Sequence, residues 1–373
     1  MLIQIHMLQN YAPSNLNRDD TGSPKTAVFG EVLRGRISSQ CLKRSIRLSE
    51  TFEEAFKDDE LLATRTRLLP ELIRDELQAM GVDSETTQAI VVRVPEIGSE
   101  SGRGRGKVGD DEALQTRQLI FVGRNELRPL AEKLLEQYEQ LGDKNWKKAK
   151  IATVTEALGP SLPLSVDVAM FGRMTTSAAF EDVSAAVQVA HALSVNALAQ
   201  EFDYFTAVDD ISGESGAGMI GDVEYNSSTY YKYLNIHWEQ LCENLGEDTE
   251  VARRAATALL EAAATAQPSG KQNTFAAHNL PDLILVEVRN RNLPVNYANA
   301  FLEPARQNHK KSLVDDAVDK LSSYVARVGQ TYSLEDLDQR ALTAVHDYAL
   351  PGCEVVPSLA DLQAWLAEHL AEA

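Results

Sequence analysis

The period of the hydrophobic pattern changes several times along this chain, and the order of the changes is the strongest constraint on its fold. Residues 2–8 alternate apolar Ile3, Ile5 and Met7 with polar residues, which is typical of a β-strand. The full predicted order is strand 2–8, helix 39–56, strands 165–170 and 229–236, helix 249–266 and strand 283–288. This βαββαβ order predicts an α+β fold built on a ferredoxin-like or RRM-type sheet.

Two long segments interrupt this order. Residues 58–160 carry amphipathic helical patterns, including a helix at Leu127–Leu141, around a Gly- and charge-rich stretch at 98–111. We predict a helical insertion with a disordered loop. Residues 183–200 are predicted to be helical, and residues 210–226 are rich in Gly, Ser and Asp, which favours a long loop or hairpin. A C-terminal amphipathic helix is predicted at 357–370.

Composition excludes several classes of protein. With 373 residues and 44% hydrophobic residues, the chain can form a substantial core. Its apolar runs fall short of the roughly 20 residues that a membrane helix needs, and its start has no secretory signal pattern. The three cysteines are far apart in the sequence, which favours a reducing cytoplasm over a disulfide framework or structural zinc.

The charge of the chain is unevenly distributed. The net charge is −19, yet residues 1–47 contain seven Lys or Arg against three acids, a net +4 that leaves −23 for the remainder. A local basic surface on an acidic body can bind a polyanion at one place and disfavour it elsewhere.

The basic segment also has the side chains that a phosphate backbone requires. Ser38 or Ser39 is a predicted helix N-cap, and helix N-terminal amides attract phosphate. Gln40 adds a hydrogen-bonding group at the same end, and Lys43, Arg44 and Arg47 continue a cationic face along the helix. The alternative interpretation is an ordinary solvated helix face.

Two further motifs have apolar side chains suited to bases. Phe202, Tyr204 and Phe205 stand together beside Thr206, either as a core-packed strand end or as a wedge that stacks on bases. Met174, in a Gly-Arg-Met turn, is either part of a simple turn or an apolar wedge between bases.

Other chemistry-bearing patterns are weak. Residues 104–109 match a dinucleotide-binding glycine pattern, but acids follow directly and would repel a pyrophosphate. We predict instead that Arg103, Arg105 and Lys107 contact nucleic acid from a mobile loop. The histidines are scattered, and we expect no metal site and no cofactor. The acid pairs Asp19–Asp20 and Asp209–Asp210 are either Mg²⁺ ligands or capping residues.

Several stretches, taken together and in order, resemble one family. They are 14–20 (SNLNRDD), 36–44 (RISSQCLKR), 172–174 (GRM), 205–210 (FTAVDD) and 296–301 (NYANAF). In order and spacing they are similar to the CasC backbone subunits of the bacterial type I-E CRISPR surveillance complex, Cascade. The resemblance covers nearly the whole chain but is poor at 58–160. Tyr204 stands where the family is expected to have Trp, and Glu31, Val32 and Leu33 where it is expected to be more basic.

The resemblance implies an RRM-like palm, helical fingers and a β-hairpin thumb. The implied limits are palm 1–57, 161–200 and 228–373, with a C-terminal helix in the last, fingers 58–160 and thumb 201–227. Copies would polymerise along a CRISPR RNA as a helical filament, kink out bases at regular intervals and present the guide for pairing with target DNA. Other partners would be the large subunit, the small subunits, CasD and CasE.

The resemblance also assigns roles to individual residues. The RNA-binding set is Arg18, Lys25, Ser38, Gln40, Lys43, Arg44, Arg47, Arg173, Met174, Tyr204, Phe205, Thr206 and Lys271. The resemblance to the type I-E set implies that the subunit is not an enzyme. It would hold the RNA backbone without reading sequence, because guide pairing reads the target. Two alternatives remain open: a type III-like subunit that cuts RNA with a loop aspartate, and a stand-alone RRM-type RNA-binding protein.

Overall fold

The structure is a computed structural model that describes residues 1–97, 114–150, 154, 164–175, 179–208, 211, 217–334 and 338–371. The chain divides into two compact units. The first unit contains Met1–Phe52, Gln188–Trp238 and Ala256–Ala373, and the second contains Glu53–Val187 and Glu239–Ala255. In the described part, no helix has the length and apolar character needed to cross a membrane.

The strands are numbered in chain order. They are β1 (Leu2–Ser14), β2 (Thr26–Phe29), β3 (Val32–Ile37), β4 (Ala63–Thr66), β5 (Ile120–Gly123), β6 (Val187–Val189), β7 (Ala192–Ser194), β8 (Glu201–Val208), β9 (Ala217–His237), β10 (Leu283–Arg289), β11 (Asp338–Ala344) and β12 (Glu354–Val355).

The helices are numbered in the same way. They are α1 (Ser39–Arg47), α2 (Glu50–Phe56), α3 (Leu69–Ala79), α4 (Ser84–Val91), α5 (Val94–Ile97), α6 (Arg124–Trp146), α7 (Val166–Phe171), α8 (Trp238–Asn244), α9 (Thr249–Thr265), α10 (Gln272–Phe275), α11 (Leu313–Tyr332) and α12 (Leu359–Ala371). A 3₁₀-helix spans Tyr297–Phe301.

A large sheet organises the first unit, with strand order β12-β11-β10-β1-β9-β7-β3-β2 among the described residues. β1 lies in its middle, antiparallel to β10 on one side and to β9 on the other. The short β11–β12 pair is parallel. The fold is thus α+β with a large, mostly antiparallel sheet.

Strand β1 is buried on both faces. Ile3, Ile5 and Met7 are fully buried, and so are the polar Gln4 and His6 between them. Fully burying each large apolar side chain contributes roughly 1.5–3 kcal/mol. The polar face is stabilised differently, through a buried network in which the Gln4 amide donates to the Glu287 carboxylate at 3.1 Å. The alternating side chains of β1 therefore place apolar residues in the core on one face of the sheet and polar residues in a buried hydrogen-bonded network on the other face.

Helix α1 packs on the first unit through Leu42 and Ile46, four residues apart on one face. Leu42 belongs to a core cluster with Tyr11, Leu16 and Ile37. Leu16 lies at the start of the loop that precedes β2, so this cluster joins the loop to the helix. Of the basic residues of α1, Arg44 is exposed, and Lys43 and Arg47 are half-buried.

The second unit has its own helical core. Leu69, Ile73 and Leu77 of α3 pack with Leu130 and Leu134 of α6 in a single buried cluster. The predicted helix at 127–141 is confirmed: α6 spans Arg124–Trp146 and is kinked at Gly142, whose φ of 68° is not helical. The short β4–β5 hydrogen-bonded pair forms a separate two-stranded sheet.

Three sequence predictions are wrong. Residues 165–170, predicted as a strand, form helix α7, whose first five residues are all buried. Residues 183–200, predicted as a helix, contain strands β6 and β7, and β7 pairs with both β3 and β9. The second strand of the predicted βαββαβ order is therefore misplaced, whereas the strand at 283–288 and the helices at 249–266 and 357–370 are confirmed to within a few residues. The predicted strands at 2–8 and 229–236 are present but longer, because β1 ends at Ser14 and β9 begins at Ala217. The single helix predicted at 39–56 is wrong, because these residues form two helices, α1 and α2.

Candidate nucleic-acid interface

The loop at 15–24 is shaped by its own polar side chains. The Asn17 carboxamide oxygen accepts a hydrogen bond from the Ser38 amide at 2.8 Å, which ties the loop to the start of α1. Asp19 Oδ1 accepts from the Thr21 amide at 2.9 Å, the Thr21 hydroxyl at 2.7 Å and the Ser23 amide at 3.1 Å. These contacts, with the hydroxyl the largest cause, lower the pKa of Asp19. Arg18, by contrast, is exposed.

Helix α1 begins beside this loop. Ser38 is its N-cap, and its side chain accepts a hydrogen bond from the Cys41 amide at 3.3 Å. The first turn contains no acidic residue, and the last turn carries Arg44 and Arg47. Exposed backbone amides at a helix start, with no carboxylate to neutralise them, favour an anion at that end.

The loop and the helix line an open cavity of about 710 Å³. Its lining includes the predicted residues Arg18, Ser38, Gln40 and Arg44. Arg18, Gln40 and Arg44 are exposed, whereas the Ser38 hydroxyl is buried and already caps the helix. The structure thus brings four predicted residues together, three of them with accessible side chains.

Other predicted cations lie near this cavity without lining it. The charges of Lys25 and Arg44 both lower the pKa of Cys41, against the larger opposing effect of burial. Lys43 is half-buried, and burial lowers its pKa. Arg47 is also half-buried.

Two residues of the cavity were not predicted: Ser269 and Gly270. A Cβ on Gly270 would lie 2.3 Å from the Leu16 carbonyl oxygen, so only glycine allows this approach. The predicted contact residue Lys271 follows directly, with a left-handed φ of 51°. The Pro-Ser-Gly-Lys run marks a turn in the sequence, but its contact with a loop 250 residues earlier is visible only in the fold.

Arg34 corrects the sequence-based account of the basic segment. It is fully buried and donates to main-chain carbonyls, among them Val195 O at 2.8 Å and Phe301 O at 2.7 Å. Burial lowers its pKa. The Arg34 guanidinium links main-chain segments within the first unit. Because this charge is buried, residues 1–47 expose less positive charge than their sequence contains.

The predicted aromatic wedge lies on a β-hairpin formed by β8 and the first half of β9. Tyr204 is 65% exposed and Phe205 37%, and Thr206 is also exposed. Phe205 is paired with Gly221, where an added Cβ would lie 2.6 Å from the ring, so the ring lies across the glycine. Residues 201–226 contain seven acids and no Lys or Arg, so this hairpin offers nucleic acid stacking surfaces and no cations.

Arg173 is another correction. The predicted RNA contact is only 6% exposed, and its Nη1 lies 2.8 Å from both carboxylate oxygens of Glu126. Its Nε donates to Glu181 O at 3.1 Å. The side chain is therefore part of the core of the second unit. Its neighbour Met174 is 95% exposed.

Some predicted sites lie outside the described residues. They are the loop at 98–111 with Arg103, Arg105 and Lys107, and the acid pair Asp209–Asp210. Among the residues that are described, no group of three or more His, Cys, Asp or Glu side chains is arranged to hold a metal ion.

Comparisons with known proteins place these features in a family. A solved chain described as "CRISPR RNA-guided surveillance complex, pre-nicking" is 29% identical, with 100% of each chain covered and a TM-score of 0.80. Another, described as "CRISPR RNA-guided surveillance complex", is 26% identical, again with 100% of each chain covered, with a TM-score of 0.72. No curated protein matches the chain. The model of the CT1975-like protein family matches residues 3–365, so the chain belongs to that family.

Proposed function

We propose that this protein is a non-catalytic backbone subunit of a CRISPR RNA-guided surveillance complex and that it binds the phosphate backbone of the CRISPR RNA. The observation that carries the proposal is the cavity between loop 15–24 and α1, where Arg18, Gln40 and Arg44 are exposed beside a helix N-terminus. The structural likeness to two such complexes over the full chain supports it.

The sheet supports an RRM-like palm. β10, β1, β9 and β7 are neighbours in that order, with α1 between β1 and β7 in the chain and α9 between β9 and β10. This is a βαββαβ arrangement in which β7 replaces the strand that was expected at 165–170. The proposed palm thus carries the cavity on its first loop and first helix.

The β8–β9 hairpin is the proposed thumb. Its exposed aromatic side chains can stack on bases, an interaction worth roughly 1–3 kcal/mol per base. Its lack of cations means that phosphate contacts come from the palm. Together with Met174, the thumb would separate the RNA into segments and leave the base edges between them available for target DNA.

Assembly is the second half of the proposal. Further copies of this chain would bind successive segments of one RNA as a helical filament, and the large subunit, the small subunits, CasD and CasE would complete the complex. Exposed apolar side chains on the hairpin, including Met219 and Ile220, give it a surface for a neighbouring protein.

The RNA-cleaving alternative needs an available aspartate. Asp19 is engaged by three hydrogen bonds within its own loop, which favours a capping role over catalysis. Incubation of the assembled complex with complementary RNA and Mg²⁺ tests the alternative. Regularly spaced cuts that disappear when Asp19, Asp20, Asp209 or Asp210 is replaced by Ala would contradict the non-catalytic proposal.

The proposed function is tested by co-purification. The chain, expressed with a CRISPR array and the other subunits, should carry a repeat-derived RNA of uniform length. Arg18→Glu with Arg44→Glu should lose it, whereas Arg128→Glu with Lys148→Glu, an equal charge change on the second unit, should keep it. A wild-type chain that carries no RNA, or RNA of random length and sequence, would overturn the proposal.

A further inference from the structure

Three nitrogen-bearing side chains meet where strand β3 leads into α1, outside the lining of the cavity between loop 15–24 and α1. They are Lys25, which precedes β2, Arg36 of β3, and His191, which directly precedes β7. Strands β3 and β7 are paired through Ile37 and Ala192, so the fold brings together residues 155 positions apart in the chain. Of the three side chains, only Lys25 was predicted to contact RNA.

Hydrogen bonds to main-chain carbonyls hold this cluster in place. The Arg36 amide donates to Lys25 O at 2.8 Å, and the Lys25 amide donates to Asn17 O, also at 2.8 Å. The Arg36 guanidinium is held as well, because its Nε donates to Thr26 O at 3.1 Å. The cluster is therefore fixed to loop 15–24 and to β2, and it loses little freedom when a ligand binds.

The contact between Arg36 and His191 defines the protonation state of the histidine. Arg36 Nη1 lies 3.4 Å from His191 Nδ1. A guanidinium can only donate, so Nδ1 accepts and the imidazole is neutral, with its proton on Nε2. A protonated imidazole would place a second donor against the guanidinium unless an acceptor from outside lay between the two nitrogens. The geometry thus suits a neutral ring in the free protein and a charged ring once an anion is bound.

The cluster is accessible, and its positive charge is not neutralised within the described part of the chain. His191 is exposed, and Lys25 and Arg36 are half-buried. Among the described residues, no acidic side chain forms an ion pair with any of the three. The pKa of His191 is lowered, first by desolvation of its ring and then by the charges of Arg36 and Lys25. Two cations and a titratable ring are therefore available to an anion from solvent.

The other titratable groups on the adjoining elements are less accessible. On α1, the charge of Lys25 lowers the pKa of the Cys41 thiol, but burial raises it by more. On β9, the buried Tyr233 hydroxyl and the buried Lys232 ammonium are hydrogen-bonded inside the first unit. His191 is the exposed group among them, so it is the one that can respond directly to a bound anion.

We propose that Arg36 and His191 bind one phosphate of the RNA and that His191 takes up a proton when it does so, which links RNA binding to pH. Neighbouring oxygens of the phosphate would accept from Arg36 Nη1 and from the protonated His191 Nδ1, in place of the direct contact between the two side chains. The inference rests on the proposed function and deepens it, because it adds a phosphate position and a proton to the binding step. A carboxylate of a partner protein would suit the same pair, but the exposed cations of the adjoining cavity continue this surface and favour a polyanion.

The direction of the pH dependence follows from the charges. In the free protein, Arg36 and Lys25 disfavour a charge on His191, whereas a bound phosphate favours it. The complex therefore binds more protons than the free protein, and the affinity for RNA rises as the pH falls through neutrality. One proton taken up corresponds to at most about a ten-fold rise in affinity per pH unit.

Calorimetric titration of the full-length chain with an oligouridine that has no terminal phosphate tests the inference. Because this RNA takes up no proton between about pH 5.5 and 8, the variation of the binding enthalpy among buffers of different ionisation enthalpy counts the protons taken up by the protein. We expect the wild type to take up a large fraction of one proton per copy near neutral pH. It should bind about five-fold or more tightly at pH 6 than at pH 7.5.

Substitutions of the pair give distinct expected results. His191→Gln should take up no proton and should bind at every pH as weakly as the wild type does at pH 8. His191→Arg, which is always charged, should bind without pH dependence and about as tightly as the wild type at low pH. Arg36→Gln should weaken binding and also reduce the proton uptake, because His191 would then be charged more often before RNA binds. His309→Gln, at an exposed histidine outside the cluster, should behave as the wild type.

The outcomes that contradict the inference are separate from those that contradict the proposed function. A wild type that binds RNA without proton uptake, or uptake that is unchanged in His191→Gln, overturns this inference alone. Uptake that is lost in Lys232→Met but kept in His191→Gln would assign the proton to the buried amine and overturn it as well. A pH-dependent association of copies in the absence of RNA, lost in His191→Gln, would mean that the pair holds a partner's carboxylate. A wild type that binds no RNA at any pH overturns the proposed function together with the inference.

Discussion

Arg18 and Arg44 come from different elements, a loop and a helix, yet line one cavity. If both contact phosphate, the double substitution Arg18→Ala with Arg44→Ala should weaken guide RNA binding whatever its sequence. The slope of log affinity against log salt should fall in magnitude by up to ~1.4, since each single-strand phosphate contact contributes ~0.7. Titrations of labelled guide RNA at several salt concentrations measure this slope.

The matched control is Arg128→Ala with Arg327→Ala, which removes the same charge at two positions outside the cavity. It should leave the slope unchanged. An unchanged slope in the double substitution at Arg18 and Arg44 would mean that these side chains do not contact the RNA.

Lys232 is a buried charge beneath helix α1. Its Nζ donates to Ala263 O at 3.2 Å, Leu42 and Ile46 line the small void beside it, and burial lowers its pKa to about 7. The unfolded chain keeps this proton up to a pKa near 10.5, so the folded chain binds fewer protons between these values. Stability should therefore rise with pH from 7 to 9, by at most about 1.4 kcal/mol per unit.

Lys232→Met should remove this dependence and raise the melting temperature at pH 7, because an apolar side chain replaces a buried charge. Thermal melts of the wild type and the variant at pH 7, 8 and 9 measure both effects. Lys148→Met, at an exposed position, should behave as the wild type. A variant that melts lower than the wild type at every pH would show that the charged amine stabilises the fold.

At the scale of elements, the β8–β9 hairpin is stabilised by the hydrogen bonds between its two strands, and the side chains of β8 that the structure describes are exposed. Phe205→Ala should therefore change the melting temperature of the isolated chain little, while it disturbs base displacement and the packing of successive copies. Gly221→Val should act in the same way, because its side chain would displace the Phe205 ring. Melting curves of the monomer and mass measurements of the assembled complex separate the two effects.

If instead Phe205→Ala lowers the stability of the monomer by about 3 kcal/mol or more, the loss expected for a core phenylalanine, then Phe205 is part of a core and not a wedge. Phe202→Ala, at a more exposed position on the opposite face of the hairpin, is the comparison for monomer stability.

The elements also show what periodicity can and cannot predict. β1, β10 and α9 were predicted because each has a long, clear pattern. Residues 166–170 are buried in every direction, so their apolar residues fit a strand period as well as a helix. The Ala-rich stretch 183–200 favours a helix by propensity, but β7 takes its place between β9 and β3, and pairing in the sheet outweighs propensity.

In the candidate site too, sequence patterns predicted residues that are neighbours in the chain and missed contacts between residues far apart in it. The loop and α1 were predicted because their polar and basic residues are contiguous in sequence. Gly270 was missed because its role depends on contact with Leu16. Arg34 was misjudged because a charged residue in a basic stretch resembles a surface residue until its buried partners are known. Arg173 was assigned to RNA through the resemblance of its Gly-Arg-Met motif, and its buried contact with Glu126 is visible only in the fold.

At the scale of the whole molecule, the charge distribution favours assembly on RNA over assembly without it. With a net charge of −19, copies of the chain repel one another over distances of about a Debye length, roughly 10 Å at 0.1 M salt. An RNA that bridges the basic surfaces of successive copies offsets this repulsion only where it is present. The isolated chain should therefore stay monomeric at moderate salt and assemble only with guide RNA.

Sedimentation with guide RNAs of increasing length tests this expectation. The mass of the complex should rise in steps, each equal to one copy of the chain plus a fixed length of RNA, and the steps should disappear when Phe205→Ala is combined with Arg18→Ala and Arg44→Ala. Assembly of the protein without RNA would contradict the argument from charge. One copy on RNA of any length would instead favour the stand-alone RNA-binding alternative, because the cavity at loop 15–24 would then be occupied without any contact between copies.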